Sequence, residues 1–210
     1  MQFIKKYQWL LPSLLFTAAL LAIRMVHTRS IAFLFLPWNL VLAAFPLIFS
    51  YKLLQIKNTY LSWGMFGLWL LFFPNAMYIV TDLFHLKEGA PVPQWFDLLL
   101  LFSAALNGVI MGLVSLRNAE IFLHKKVGKR LVPVIICCIF LLCGYGIYLG
   151  RYLRWNSWDI FTQPHLLLWD IAMDVRHPFQ NEQSWMVTSL FGIWMYILYR
   201  YFSRIRRWSR

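Results

Sequence analysis

Six long apolar runs follow one another along the chain, at residues 9–26, 31–54, 61–80 with a helical extension to 86, 95–116, 131–155 and 185–202. A helix of about 20 apolar residues is long enough to cross the hydrocarbon core of a bilayer. Polar and apolar residues do not alternate within the runs, and each run is about twice as long as a membrane β-barrel strand. The pattern predicts an all-α, polytopic membrane helical bundle with six transmembrane helices, forming a single membrane domain over residues 1–210.

The composition supports this prediction. Hydrophobic residues make up 60% of the 210 positions and charged residues 13%, against roughly 45–50% and roughly 25% in ordinary soluble domains. These values exclude a disordered chain and most water-soluble enzymes. Lys5 and Lys6 before the first run would also suit a signal peptide, but the run is long and ends without a clear small-residue cleavage site. An uncleaved first span is therefore favoured.

The net charge of +12 indicates an orientation in the membrane. With both termini in the cytoplasm, 14 of the 20 Lys and Arg residues lie inside and seven of the eight acidic residues lie outside, as the positive-inside rule requires. The Arg-rich tail, residues 202–210, is expected to anchor at anionic lipids and not to bind nucleic acid. The six cations left on the outer side are Arg24, Arg29, Lys87, Arg151, Arg154 and Arg176.

A polar stripe follows the third run at four positions, which are Asn75, Tyr78, Asp82 and His85. Spacings of three, four and three residues place these side chains on one helix face, and that face should meet other helices because lipid cannot satisfy it. Pro74 crowds the carbonyl of Leu70, which predicts a kink and a free acceptor that Asn75 could satisfy or present to a ligand. A packing kink with an interhelical amide bond is the alternative.

The end of the fifth run is cationic and aromatic. Tyr148, Arg151, Trp155 and Trp158 share one face, Arg154 lies beside it and Asp159 follows. We expect Asp82 or Asp97 to pair with Arg151, because a lone charge at that depth is costly; a purely structural ion pair is an equal alternative. If this is a site, its catalytic candidates are Asp82, His85 and Asp97, and its ligand-binding candidates are Asn75, Tyr78, Arg151, Arg154, Trp155 and Asp159.

The last outer loop, residues 156–184, contains a predicted short amphipathic helix between Pro164 and Pro178 that lies on or dips into the outer interface. Asp170, Asp174 and His177 share one face of this helix, opposite Leu168, Ala172 and Val175. Two carboxylates and an imidazole could bind a divalent metal, with His85 or His165 completing the set. A polar face in contact with water is the alternative explanation.

Two stretches carry a resemblance to a known family, FPNAMYIVTDLFHL at residues 73–86 and YLGRYLRWNSWD at residues 148–159. They resemble the signatures of a bacterial membrane-protein family known only as domain of unknown function thirteen sixty-one. Met77 departs from the proline that the family is expected to carry after Asn-Ala. The resemblance implies a multi-pass protein of the bacterial cytoplasmic membrane, and it supplies no activity or site residues.

Three functions fit these observations, and no motif names a reaction, so enzymatic activity stays open. The first is a polar site at the outer mouth of the bundle that binds an anionic envelope-side ligand, such as a lipid or polyprenyl-phosphate headgroup, with the loop helix as a lid. The second is a small proton- or cation-coupled transporter, for which six spans would favour a homodimer. The third is a non-catalytic assembly or scaffold protein. No cofactor is evident beyond the divalent metal considered above.

Overall fold

The computed structural model describes residues 2–87 and 91–208, and their side chains as far as residue 204. Its described residues form helices and connecting turns and contain no β-strand, which confirms the predicted all-α class. The α-helices are α1 (Gln2–Thr28, with a 3-10 turn at Gln8–Leu10), α2 (Phe35–Leu53), α3 (Thr59–Tyr78), α4 (Gln94–Lys126), α5 (Val132–Arg151), α6 (Asp159–Thr162), α7 (Pro164–Arg176) and α8 (Glu182–Trp208). A 3-10 helix, Ile79–His85, continues α3.

Five helical segments in the described part of the chain are long and apolar enough to cross a membrane: α1, α2, α3 with its 3-10 extension, α4 and α5. The sixth predicted span lies in α8, which is long enough but is not among the five. Trp, Tyr, Ser, Thr and Arg200 lower its mean hydropathy. The count of six spans and their orientation therefore stay predictions, and most of the Arg-rich tail lies outside the side chains that the structure describes.

The chain forms two compact units, Met1–Ala119 and Glu120–Arg210, and the boundary between them falls inside α4. In the first unit α2 packs on α3, and the largest fully buried side chains include Trp69, Phe73, Leu100 and Leu101. A Cβ atom at Gly108 of α4 would lie 2.8 Å from the carbonyl oxygen of Ala76. Only glycine permits this close approach of α4 to the end of α3.

In the second unit α5 packs on α8. The two helices meet at Gly144, where a Cβ atom would collide with the backbone of Thr188. Phe140 of α5 also makes an edge contact with Tyr199 of α8, with ring centroids 6.1 Å apart. The helix predicted between two prolines in the loop after the fifth run is present as α7, which begins at Pro164 and ends two residues before Pro178.

Candidate functional site

A buried ion pair lies at one end of the first unit. Arg24 of α1 donates from Nε to Asp97 Oδ1 at 2.7 Å and from Nη2 to Asp97 Oδ2 at 3.1 Å. The two residues are only 4% and 2% exposed, and the guanidinium lies 3.7 Å from the ring centroid of Phe33. The bidentate geometry neutralises both charges where water cannot solvate them.

Arg24 therefore replaces Arg151 as the partner of Asp97, and Asp97 has the geometry of a structural ion pair. The charge pattern of the sequence predicts only that Arg24 is one of the outer-side cations. The available signal was its position inside the first apolar run, because a charged residue within a span usually has a partner in the bundle interior.

Asp82 lies in the 3-10 helix and is 1% exposed. Its Oδ2 accepts a hydrogen bond from Asn39 Nδ2 of α2 at 2.8 Å. His85 Nδ1 lies 3.1 Å from the Asp82 backbone carbonyl, and its ring packs on Phe35 with centroids 4.5 Å apart. Because a carbonyl only accepts, Nδ1 carries the hydrogen in this contact. The structure thus brings Asp82 and His85 together, and it adds Asn39 and Phe35, which sequence reasoning missed.

The predicted stripe on the third run changes helix type within its length. Asn75 and Tyr78 belong to α3, and the 3-10 helix begins one residue later. Because three residues complete one turn of a 3-10 helix, Asp82 and His85 lie on the same side of this helix. Asn75 Nδ2 donates to the Phe72 carbonyl at 3.1 Å. The sequence suggests the Leu70 carbonyl as its partner, so the observed bond is to a different carbonyl. An Asp82–Arg151 pair would join the two units and stays a prediction.

A row of buried polar side chains runs along α4, and sequence reasoning missed it too. Thr17 Oγ1 donates to Ser103 Oγ at 3.0 Å, and Asn107 Nδ2 donates to Thr17 Oγ1 at 3.0 Å. Near the other end of the helix, Asn118 Nδ2 donates to Tyr7 Oη at 3.1 Å. Such bonds hold membrane helices together, because lipid offers no competing partner.

The end of α5 in the second unit carries the cationic segment. Arg151 is the last residue of α5 and is half-buried. Arg154 adopts a left-handed backbone conformation with φ of 62°. The chain reverses there, so that the Trp155 N–H donates to the Leu149 carbonyl at 3.0 Å and satisfies one of the last helical acceptors. The Arg154 side chain is exposed, with no hydrogen bond or ion pair to any residue that the structure describes.

Asp159 organises the turn that begins α6. Its Oδ2 accepts from the Asn156 backbone N–H at 2.7 Å and from Asn156 Nδ2 at 3.1 Å, while Oδ1 accepts from Thr162 Oγ1 at 3.1 Å. The backbone bond from Asn156 is the main cause that lowers the pKa of the Asp159 carboxyl, and burial acts in the opposite direction. Both carboxylate oxygens of Asp159 accept hydrogen bonds within the turn. Asp159 is one of the predicted ligand-binding residues, and these bonds give it a structural role.

The two carboxylates of α7 point towards α5. Asp170 Oδ2 accepts from Trp155 Nε1 at 2.9 Å, and Asp174 Oδ2 accepts from the Tyr145 hydroxyl at 2.9 Å. Asp174 is 5% exposed, so the alternative of a polar face in water is wrong for this residue. Among the described residues no three His, Cys, Asp or Glu side chains are grouped to hold a metal ion, and the predicted set with His177 is not assembled.

These features define an all-helical protein whose apolar helices are compatible with a membrane, and several of whose buried polar side chains pair across helices. The chain belongs to the family described as protein of unknown function (DUF1361), whose model matches residues 38–198. The resemblance seen in the sequence is thereby confirmed. No curated protein and no solved structure matches the chain.

Proposed function

We propose that the protein spans a membrane and binds an anionic envelope-side ligand, a lipid or polyprenyl-phosphate headgroup, at the outer end of α5. In this proposal α8 is the sixth span, both termini are cytoplasmic, and the membrane is the bacterial cytoplasmic membrane. Arg154 supplies the main contact to the anionic group, with Arg151 and Trp155 beside it. A guanidinium suits this role because its planar donors match the oxygens of a phosphate.

The exposed Arg154 side chain, within three residues of Arg151 and Trp155, is the observation that carries the proposal. A left-handed conformation costs a residue with a Cβ atom about 1–2 kcal/mol, and glycine avoids that cost. The favourable interaction of a cation with a helix C-terminus is smaller, about 0.3–1 kcal/mol. The helix end therefore does not explain the arginine by itself. Arg29, which follows α1, shares this conformation and exposure, but no second arginine or tryptophan lies within three residues of it. The grouping of Arg154 with Arg151 and Trp155 is what favours an anionic ligand at this helix end.

The test compares two glycine substitutions. Arg154→Gly removes the side chain and relieves the backbone strain, so the apo protein should keep or raise its melting temperature. Arg29→Gly is a matched control, because Arg29 is exposed, follows α1 and has a φ of 51°. Loss of charge-assisted contacts predicts about tenfold weaker binding for Arg154→Gly alone.

Binding is measured with the full-length protein in nanodiscs by native mass spectrometry. The probes are phosphatidylglycerol and a polyprenyl phosphate, with phosphatidylcholine as the neutral reference. Preference for the polyprenyl phosphate over phosphatidylglycerol identifies the source of the anionic group. Equal retention of both anionic probes by wild type and Arg154→Gly contradicts the proposed site.

A specific observation favours transport as a second candidate function. Asn107 is fully buried, and its Oδ1 accepts no hydrogen bond from any residue that the structure describes. It lies ten residues beyond Asp97, which is about 15 Å and half the thickness of a hydrocarbon core. An unsatisfied acceptor at that depth suits a water or a cation. If the protein carries Na⁺ or H⁺, Asn107→Leu should abolish flux in proteoliposomes, whereas Ser62→Ala, at a buried hydroxyl with a local partner, should not.

A further inference from the structure

The helix α7 exposes its apolar side chains and turns its carboxylates inward. Leu168, Trp169 and Val175 are 62–66% exposed, whereas Asp174 is 5% exposed. A helix on a water-soluble surface has the opposite distribution, with its apolar stripe against the protein. The outward face of α7 is therefore suited to an apolar environment and not to water.

Two hydrogen bonds fix the rotation and the direction of α7. Asp170 bonds the Trp155 indole just beyond α5, while Asp174, one turn further along α7, bonds the Tyr145 hydroxyl. Tyr145 precedes the last residue of α5 by six positions, which is roughly 9 Å along the helix axis. Successive turns of α7 thus contact successively deeper parts of α5. We call these two bonds the latch.

The apolar surface extends beyond α7 on both sides. Phe161 of α6 is 70% exposed, and Phe179, which follows α7, is 89% exposed. Between residues 157 and 181 the acidic side chains are Asp159, Asp170 and Asp174, and none of them is exposed. Arg176 is an exposed cation at the end of α7, where its long stem can carry the charge to a phosphate layer. A face without exposed acids, bordered by an arginine, matches the boundary between acyl chains and headgroups.

We propose that the outward face of α6 and α7 lies among lipid acyl chains, so that α7 dips into the bilayer along the outer part of α5 and forms the lipid-facing wall of the Arg154 site. The proposal rests on the membrane embedding proposed above and not on the identity of the ligand. It implies that an amphiphilic ligand reaches Arg154 sideways from the bilayer. A water-soluble protein partner or a second copy of this chain on the same face are the competing outcomes.

The test uses spin labels in the full-length protein, reconstituted in phosphatidylcholine and phosphatidylglycerol vesicles. The three native cysteines are replaced by alanine, and single cysteines are introduced at Leu168 and Val175. Leu142 of α5, which is 54% exposed, provides the lipid reference, and the exposed Lys57, in the loop between α2 and α3, provides the water reference. Collision rates are compared for oxygen, which concentrates in lipid, and a nickel chelate, which stays in water.

The expected result is a ratio of oxygen to nickel collisions at Leu168 and Val175 that resembles the ratio at Leu142. A ratio like that at Lys57 overturns the proposal by placing the face in water. The water-like ratio is also the result expected if a water-soluble partner, absent from the vesicles, normally covers the face. Low collision rates with both reagents, together with spin–spin broadening, overturn the proposal in favour of a second copy of this chain. A water-like ratio at Leu142 itself contradicts the membrane embedding, which distinguishes that failure from a failure of α7 alone.

A second pair of variants tests the latch. Tyr145→Phe removes the donor to Asp174 and should raise nickel accessibility at Val175 at least twofold. Tyr148→Phe, one turn away in the same stack of rings, is the matched control, because its hydroxyl bonds none of the described residues. An equal effect of the two variants, or no effect of Tyr145→Phe, contradicts the role of the latch in positioning α7.

Discussion

Replacing Asp97 by asparagine removes the negative charge that neutralises Arg24 in the interior of the first unit. The two residues are 4% and 2% exposed, and both carboxylate oxygens accept from the guanidinium. A surface ion pair would contribute about 0–1 kcal/mol. Breaking a buried pair costs about 3–5 kcal/mol, because the remaining charge is left without a partner in a medium that solvates it poorly. The folding equilibrium constant of Asp97→Asn should therefore fall by roughly two to three and a half powers of ten.

Removing both charges should cost much less than removing one. In Arg24→Met combined with Asp97→Leu, no charge is left buried, and packing against Phe33 and the neighbouring apolar side chains is kept. Replacement of a buried pair by apolar residues of similar volume is often neutral or stabilising. A double-mutant cycle that includes Arg24→Met alone should give a coupling energy of about 2 kcal/mol or more, since both single variants leave an isolated charge.

Equilibrium unfolding in mixed micelles with increasing SDS, followed by tryptophan fluorescence, measures these differences. Asp170→Asn is a suitable control, because an amide oxygen can still accept from Trp155, and we expect a cost below about 1 kcal/mol. A cost for Asp97→Asn no larger than for Asp170→Asn would refute the reasoning. Additive effects of the two single substitutions at Arg24 and Asp97 would refute it as well.

Two further predictions concern the second unit. Gly144→Ala should separate α5 from α8 and lower the melting temperature, because the added Cβ would lie 3.1 Å from Thr188 Cα. Gly64→Ala, where a Cβ meets nothing within 4 Å, should be neutral or slightly stabilising; equal loss in both variants would contradict the close packing. The lowered pKa of Asp159 predicts stability that is present above the ordinary value of 3.8 and is lost as the pH falls through the lower folded value. The difference in melting temperature between wild type and Asp159→Asn should therefore be largest at pH 6 and shrink towards pH 3, and a pH-independent difference would contradict this origin.

The parts of the site that depend on local spacing could be predicted from the sequence. Asp82 and His85 are three residues apart and lie together in one helical turn. The helix α7 could be predicted because Pro164 and Pro178 bracket it. Proline is favoured in the first turn of a helix, and it disfavours the continuation of a helix through its own position. The fifth run begins within one residue of its predicted start, but α5 ends at Arg151, four residues before the predicted end at 155.

The pairings between helices could not be read in the same way. Arg24 and Asp97 are 73 positions apart, and Asn39 is 43 positions from Asp82. Many polar residues are predicted to lie at a similar depth in the membrane, and charge alone favours Arg151 as the ion-pair partner of Asp97. Only the packing of α1 against α4 selects Arg24. Likewise, the spacing of Asp170 and Asp174 predicts an acidic face on α7, but it does not predict that this face packs against α5.

The sequence by itself determined that this chain forms apolar helices, approximately where they lie along the chain, and which family it belongs to, because these properties depend on local composition and on periods of a few residues. The tertiary structure decided which charges are paired inside the first unit and that Asp174 faces Tyr145 while Leu168 faces outward. The physical reason is that a buried polar group must find a partner, and the available partners depend on how distant helices pack.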